Sequence, residues 1–237
     1  MKTHHYCKTG AYHLQEGQTC QDQLTVTVVG PYTVAALADG VSACRCGETG
    51  AQLACAAVVD FIDMEREHVF SYDPRKLAYL VMEHILYFLE NESARTGNAV
   101  ADYASTIMFS CVENNTGNAV LFGLGDGAVF QTSGTRILRE ISPKRYGGHP
   151  CLTTTEGAYQ AAEIRRIQIP LGDSVLLCTD GFLHAMETDP ACSEAFQHMM
   201  LEGTCAELET ILEGADEPDD ISYIQTTRTR RYRKDLT

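Results

Sequence analysis

The sequence lacks any apolar stretch long enough to cross a bilayer. Its best run, Leu53 to Ile62, is short and interrupted by Asp60, so membrane insertion is not expected. Positive charge is scarce, with 18 Lys and Arg against 32 Asp and Glu and a net charge of −14. That balance argues against nucleic acid as the main partner. Met1 to Gly10 carries charge and two histidines but no apolar stretch, so no secretory signal is expected and the cytoplasm is the expected address. Cys44 and Cys46 stand one residue apart with no matching Cys or His pair, which is not zinc-finger spacing. The ten cysteines are scattered, several inside apolar runs (Cys55, Cys111, Cys178), and read as reduced, buried thiols. Repeats, low-complexity tracts and interdomain linkers are also missing.

What remains is an ordinary globular composition, 44% hydrophobic and 21% charged over 237 residues. The pattern predicts one domain over residues 1–227 and a basic tail over 228–237, where Arg228, Arg230, Arg231, Arg233 and Lys234 cluster. Alternation predicts a strand at Leu24–Val28, and Thr33–Ala38 a second, nearly all-apolar strand paired with it. Helical spacing predicts helices over Gly47–Glu67 and Pro74–Asn91. Further strands are expected at Thr106–Val112, Ala119–Leu124, Ala128–Gln131, Arg136–Ile141, Ala162–Ile169, Ser174–Thr179 and Ile221–Gln225. Short helices are expected between Phe182 and Glu213. The segment Ser142–Tyr159 has no periodicity and reads as a long loop. Strands and helices run in blocks, which predicts an α+β fold of two stacked, mainly antiparallel sheets flanked by helices.

Aspartates recur at the ends of the apolar runs: Asp22, Asp39, Asp126, Asp180 and the pair Asp219-Asp220. Asp126-Gly127 lies between two strands and is explained by a hairpin turn. Asp39-Gly40 and Asp180-Gly181 are each followed by helix-like sequence instead. A carboxylate at the end of a buried strand is costly unless a cation compensates it. Carboxylates without a nearby His/Cys set suit hard ions, Mg²⁺ or Mn²⁺, rather than zinc. Two such ions can activate a water and clamp a phosphoryl group.

In order, the motifs are Cys20-Gln21-Asp22, Ala38-Asp39-Gly40-Val41, Ala104-Ser105-Thr106, Gly125-Asp126-Gly127, Cys178-Thr179-Asp180-Gly181 and Asp219-Asp220-Ile221-Ser222. Together they resemble the successive motifs of the type 2C (PPM) metal-dependent protein phosphatases. Gly10–Asp22, with His13, resembles a compact bacterial branch of that family. The resemblance implies a β-sandwich with two divalent cations, Mn²⁺ or Mg²⁺, at one end. Asp39 would bridge both, Gly40 would offer its carbonyl, and Asp180 and Asp219 would complete the first ion's shell. Asp22 would hold water around the ions. The implied activity is hydrolysis of phosphoserine and phosphothreonine on proteins, opposing a Ser/Thr kinase, with a metal-activated water and no phosphoenzyme.

The sequence also departs from the family. Val41-Ser42 stands where eukaryotic members carry a histidine proposed as general acid. Gly17 stands where many members carry a phosphate-binding arginine, and Gln21 replaces the usual acidic residue. His13, Arg45, Lys144 and Arg145 are the candidate replacements for that arginine. Asp102, shifted by one residue, is the candidate for a third cation site. Ser142–Tyr159 matches a flap beside the active site and is expected to influence substrate choice. The competing reading is a catalytically weak or dead domain of the same fold acting as a regulatory binding module.

Overall fold

The computed structural model describes residues 1–229; the tail residues Arg230, Arg231, Arg233 and Lys234 lie outside them. The chain opens with β1 (Lys2–Lys8) and a short helix α1 (Ala11–Gln15), neither anticipated from sequence. The hairpin β2 (Asp22–Val29) and β3 (Tyr32–Asp39) follows. Helices α2 (Gly47–Met64) and α3 (Pro74–Thr96) come next. Two hairpins follow, β4 (Ile107–Glu113) with β5 (Asn118–Leu124) and β6 (Ala128–Ser133) with β7 (Arg136–Ile141), the chain crossing from one sheet to the other between β5 and β6. The segment read as a loop holds a small ladder, β8 (Arg145–Tyr146) with β9 (His149–Pro150). Then come β10 (Glu163–Gln168), β11 (Ser174–Cys178), α4 (Asp180–Thr188), α5 (Pro190–Glu202), α6 (Ala206–Gly214) and β12 (Ile221–Thr227).

The strands form two five-stranded sheets, ordered β1-β12-β11-β6-β7 and β10-β5-β4-β3-β2, with every pair antiparallel. Three apolar layers show how they stack. Ala35, Leu37, Met108, Leu121, Val129 and Leu177 fill the space between the sheets. Val34, Ala36, Ala38, Phe109 and Phe122 face the other way, onto α2 and α3. This explains why β3 reads as continuously apolar: successive side chains point to opposite faces and both faces are buried. Phe130, Leu176, Cys178 and Tyr223 pack against α4, α5 and α6 on the far side. The expected α+β sandwich of two antiparallel sheets between helices is the architecture observed.

Local chemistry sets the ends of the helices. Asp73 accepts from the Arg75 amide at 2.9 Å with Pro74 at the first helical position, and Gly97 closes α3 at φ 79°. The helix runs past the predicted Asn91 because Glu92 and Arg95 pair on its surface and nothing breaks it before Gly97. Lys8 donates from Nζ to the carbonyls of Leu212, Glu213 and Ala215, closing the C-terminal end of α6. Arg228 donates to the carbonyls of Ile169 and Asn115, so this first residue of the basic cluster is bound to the sandwich.

Candidate active site

The hairpin β2–β3 brings Asp22 and Asp39 into direct register at one end of the sandwich. The Asp39 backbone is held from both sides by Thr106. Its N–H donates to Thr106 Oγ1 at 3.1 Å, and its carbonyl accepts from the Thr106 N–H at 2.8 Å. This gives the Ser105-Thr106 motif a structural task. Gly40 follows, its N–H donating to the Gln21 carbonyl at 3.2 Å. A Cβ on Gly40 would meet the Gly47 carbonyl at 2.5 Å, so only glycine lets the chain pass under the start of α2.

Asp180 is the first residue of α4, directly after β11. Asp219 stands in the turn leading into β12. Gly181 lets these two segments touch, since a Cβ there would lie 2.2 Å from the Asp220 carbonyl oxygen. Thr179 ties the layers together by donating to Asp22 Oδ2 at 3.3 Å and accepting from the Ser222 N–H at 3.1 Å. Asp126, read from sequence as a turn residue, does lie in the turn between β5 and β6, but its carboxylate is buried within the same acidic group. An Asp-Gly turn signal conceals such a second task.

Arg145, in the β8 strand of the flap, meets this group. Its Nε donates to Asp126 Oδ2 at 2.9 Å and its Nη2 to Asp180 Oδ2 at 3.1 Å. An open cleft of about 440 Å³ lies beside these contacts, lined by Asp126, Arg145, Asp180, His184, Glu217 and Asp219. His184 and Glu217 were not foreseen. His184 Nδ1 and Glu217 Oε2 are 2.6 Å apart, and this bond draws the imidazole pKa upward.

Burial and mutual repulsion dominate the electrostatics. Burial pushes Asp39 well above the usual carboxylate range, and Asp180, Asp126 and Asp219 push it further. Asp22 is raised by burial first and by the facing Asp39 second. Asp180 is pushed up to about 6 by burial, Asp126 and Asp219, against the opposing pull of Arg145. Asp22 Oδ1 is buried without a hydrogen-bond partner among the described residues. Among the described residues, no three His, Cys, Asp or Glu side chains are placed so that together they could hold a metal ion.

A second, separate network braces the site from behind. Asp220 is buried and accepts from the Gly10 N–H at 2.7 Å, the Gln21 N–H at 2.6 Å and His13 Nδ1 at 2.9 Å. His13 Nε2 faces the Ser42 hydroxyl at 2.8 Å. His13 is therefore committed to holding α1, the Gln21 segment and Ser42 together.

The other sequence candidates do not bond to these carboxylates among the described residues. Lys144 pairs with Glu163 at 2.8 Å. Arg45 is exposed. The Asp102 side chain accepts from the Ala99 N–H at 3.0 Å, capping a 3-10 turn. The flap is pinned where the Ser105 N–H donates to Thr153 Oγ1 at 3.2 Å, and the Thr153 N–H returns to the Ser105 carbonyl at 2.9 Å.

Comparison with known proteins agrees with this architecture. The family model described as Protein phosphatase 2C matches residues 9–213. No curated protein matches the chain. Among solved structures, the catalytic domain of the serine threonine protein phosphatase PstP, in complex with two manganese ions, aligns at TM-score 0.70 and 15% identity, covering 97% of this chain and 98% of that one. PppA, a key regulatory component of the T6SS in Pseudomonas aeruginosa, aligns at TM-score 0.66 and 16% identity, covering 94% and 96%. RsbX in complex with magnesium aligns at TM-score 0.60 and 14% identity, covering 94% and 92%. The sandwich is shared with these proteins, and by the family match the chain belongs to the protein phosphatase 2C family of serine/threonine phosphatases.

Proposed function

We propose that this chain hydrolyses phosphoserine and phosphothreonine on proteins with two divalent cations, Mn²⁺ or Mg²⁺, held by Asp39, Asp180, Asp219 and the Gly40 carbonyl. The carrying observation is the crowd of raised, mutually repelling carboxylates at one end of the sandwich. An all-oxygen donor set suits hard cations. The unpartnered Asp22 Oδ1 suits a role in orienting water around them. The ions are those named for two of the structural neighbours. When bound, they supply Lewis acidity toward water and toward the phosphoryl oxygens.

The chain's own residues do the rest. Asp39, clamped by Thr106, presents its carboxylate at a set position. Asp22 reaches the same place from the facing strand and orients water. Asp126 adds a fifth carboxylate, with its negative charge held against Arg145. Arg145 takes the part of the arginine missing at Gly17. A guanidinium offers phosphate a planar, bidentate fork, and Arg145 lines the cleft. His13 does not take that part, because it is buried against Asp220. The substrates proposed are phosphorylated proteins, with a Ser/Thr kinase as the opposing enzyme and the cytoplasm as the setting.

The test is hydrolysis of p-nitrophenyl phosphate and a phosphothreonine peptide with Mn²⁺, Mg²⁺ or chelator, for wild type and Asp39→Ala. Metal-dependent turnover that Asp39→Ala abolishes is expected. No turnover with any metal, together with no metal binding by calorimetry, would instead favour a regulatory binding module.

A further inference from the structure

Cys7 lies on β1 of one sheet, and Cys20 lies in the segment entering β2 of the other. Their Sγ atoms are 3.0 Å apart, and both are free thiols. Cys7 is exposed and Cys20 is half-buried. Cys55, Cys111, Cys178 and Cys192 are instead buried in the apolar layers flanking the sheets. The bond from Cys20 draws the Cys7 thiol down, against burial, which favours its thiolate form. The same contact, with burial, holds the Cys20 thiol up. One sulfur is thus a ready nucleophile and the other a neighbouring thiol.

We propose that Cys7 and Cys20 form an oxidation site that closes to a disulfide with a peroxide as oxidant. The Cys7 thiolate attacks a peroxide oxygen, the O–O bond breaks, and hydroxide leaves and takes up a proton to become water. Cys7 is then a sulfenic acid. The Cys20 sulfur attacks the Cys7 sulfur, the S–O bond breaks, and a second water leaves with the Cys20 proton. Two thiols lose two electrons in all, and one hydrogen peroxide becomes two waters. A dithiol reductant reverses the step by exchange. Closing the bond shortens the contact by about 1 Å. The link ties the edge strand β1 to the segment whose next amide, that of Gln21, is held by Asp220. It uses no carboxylate of the acidic group, so it stands or falls independently of the hydrolytic proposal.

The test treats the full-length chain with dilute hydrogen peroxide and follows it by intact mass, thiol titration and peptide mapping. Cys7→Ser and Cys20→Ser are carried alongside. The expected result is loss of two of the ten thiols, a two-hydrogen mass loss and a Cys7–Cys20 linked peptide. Dithiothreitol restores all ten, and neither variant yields the link. Two results overturn the proposal: sulfinic or sulfonic acid at Cys7 without a cross-link, or a link through another pair such as Cys44 and Cys46.

Discussion

Asp22 and Asp39 face each other as direct cross-strand partners, two carboxylates at a position where like charges oppose pairing. Neutralising one should relieve the metal-free protein. Asp22→Asn is expected to raise its stability by about 0.5–1 kcal/mol in chelator. The same change should lower stability relative to wild type once Mn²⁺ is saturating. Urea unfolding under both conditions reads this crossover, and a variant that is weaker in both would contradict it.

Asp180 sets a pH dependence. Its folded pKa of about 6 lies above the ordinary Asp value of roughly 3.9. Below about pH 4 the group is neutral in both states and costs nothing. As pH rises from about 4 to 6, the unfolded chain ionises first, and the metal-free protein loses stability on the order of 2 kcal/mol. The stability advantage of Asp180→Asn over wild type in chelator should grow across that window. Parallel melting curves from pH 4 to 7 would remove Asp180 as the cause.

Arg145 binds two of the carboxylates and, in the proposed reaction, the substrate phosphate. Hydrogen bonds between charged groups are worth about 1.5–3 kcal/mol. Arg145→Ala should therefore cost about 10- to 100-fold in kcat/KM. Mn²⁺ affinity should hold or rise, because a competitor for Asp126 and Asp180 is gone. Arg145→Lys should restore little, since a point charge does not replace a planar fork. A loss of metal affinity in parallel with activity would assign Arg145 to the cation site instead.

The His13–Asp220 pair predicts a stability effect. Removing one partner leaves a buried carboxylate with only two backbone donors. His13→Ala should destabilise the fold by about 1–3 kcal/mol in urea titration. KM for small phosphoesters should stay near wild type. A KM increase at unchanged stability would return His13 to the list of phosphate ligands.

Tyr146 and His149 pair in the small flap ladder, and both are exposed. Alanine at both should lower phosphoprotein turnover several-fold while p-nitrophenyl phosphate hydrolysis stays near wild type. Equal losses on both substrates would deny the flap a part in substrate choice.

The aspartates were legible where local sequence excluded a turn. Asp39-Gly40 and Asp180-Gly181 end buried strands and open onto helices, so a hairpin could not account for them. Asp126 failed that criterion because a strand flanks it on each side, although β5 and β6 belong to different sheets and the expected hairpin is a crossing between them. Arg145 lies in an aperiodic segment where nothing marks one basic residue over Lys144, and only the folded chain shows which pairs with Glu163. The clasp of His13 and Asp220 spans most of the chain, a separation at which periodicity carries no information. Strand β1 was missed because a half-exposed edge strand, Lys-Thr-His-His-Tyr-Cys-Lys, lacks the apolar alternation of the interior strands. The layered fold itself was legible because interior strands and amphipathic helices have distinct periods.

The antiparallel pairing of β1 with β12 has a practical geometric result. Lys2 partners Thr227 at one end of the ladder, and Lys8 partners Ile221 at the other, beside Asp219 and Asp220. The strand spans seven residues from one end to the other, roughly 20 Å. A fluorophore attached at Lys2 would therefore stand remote from the acidic group, leaving that end of the sandwich open to a docking protein.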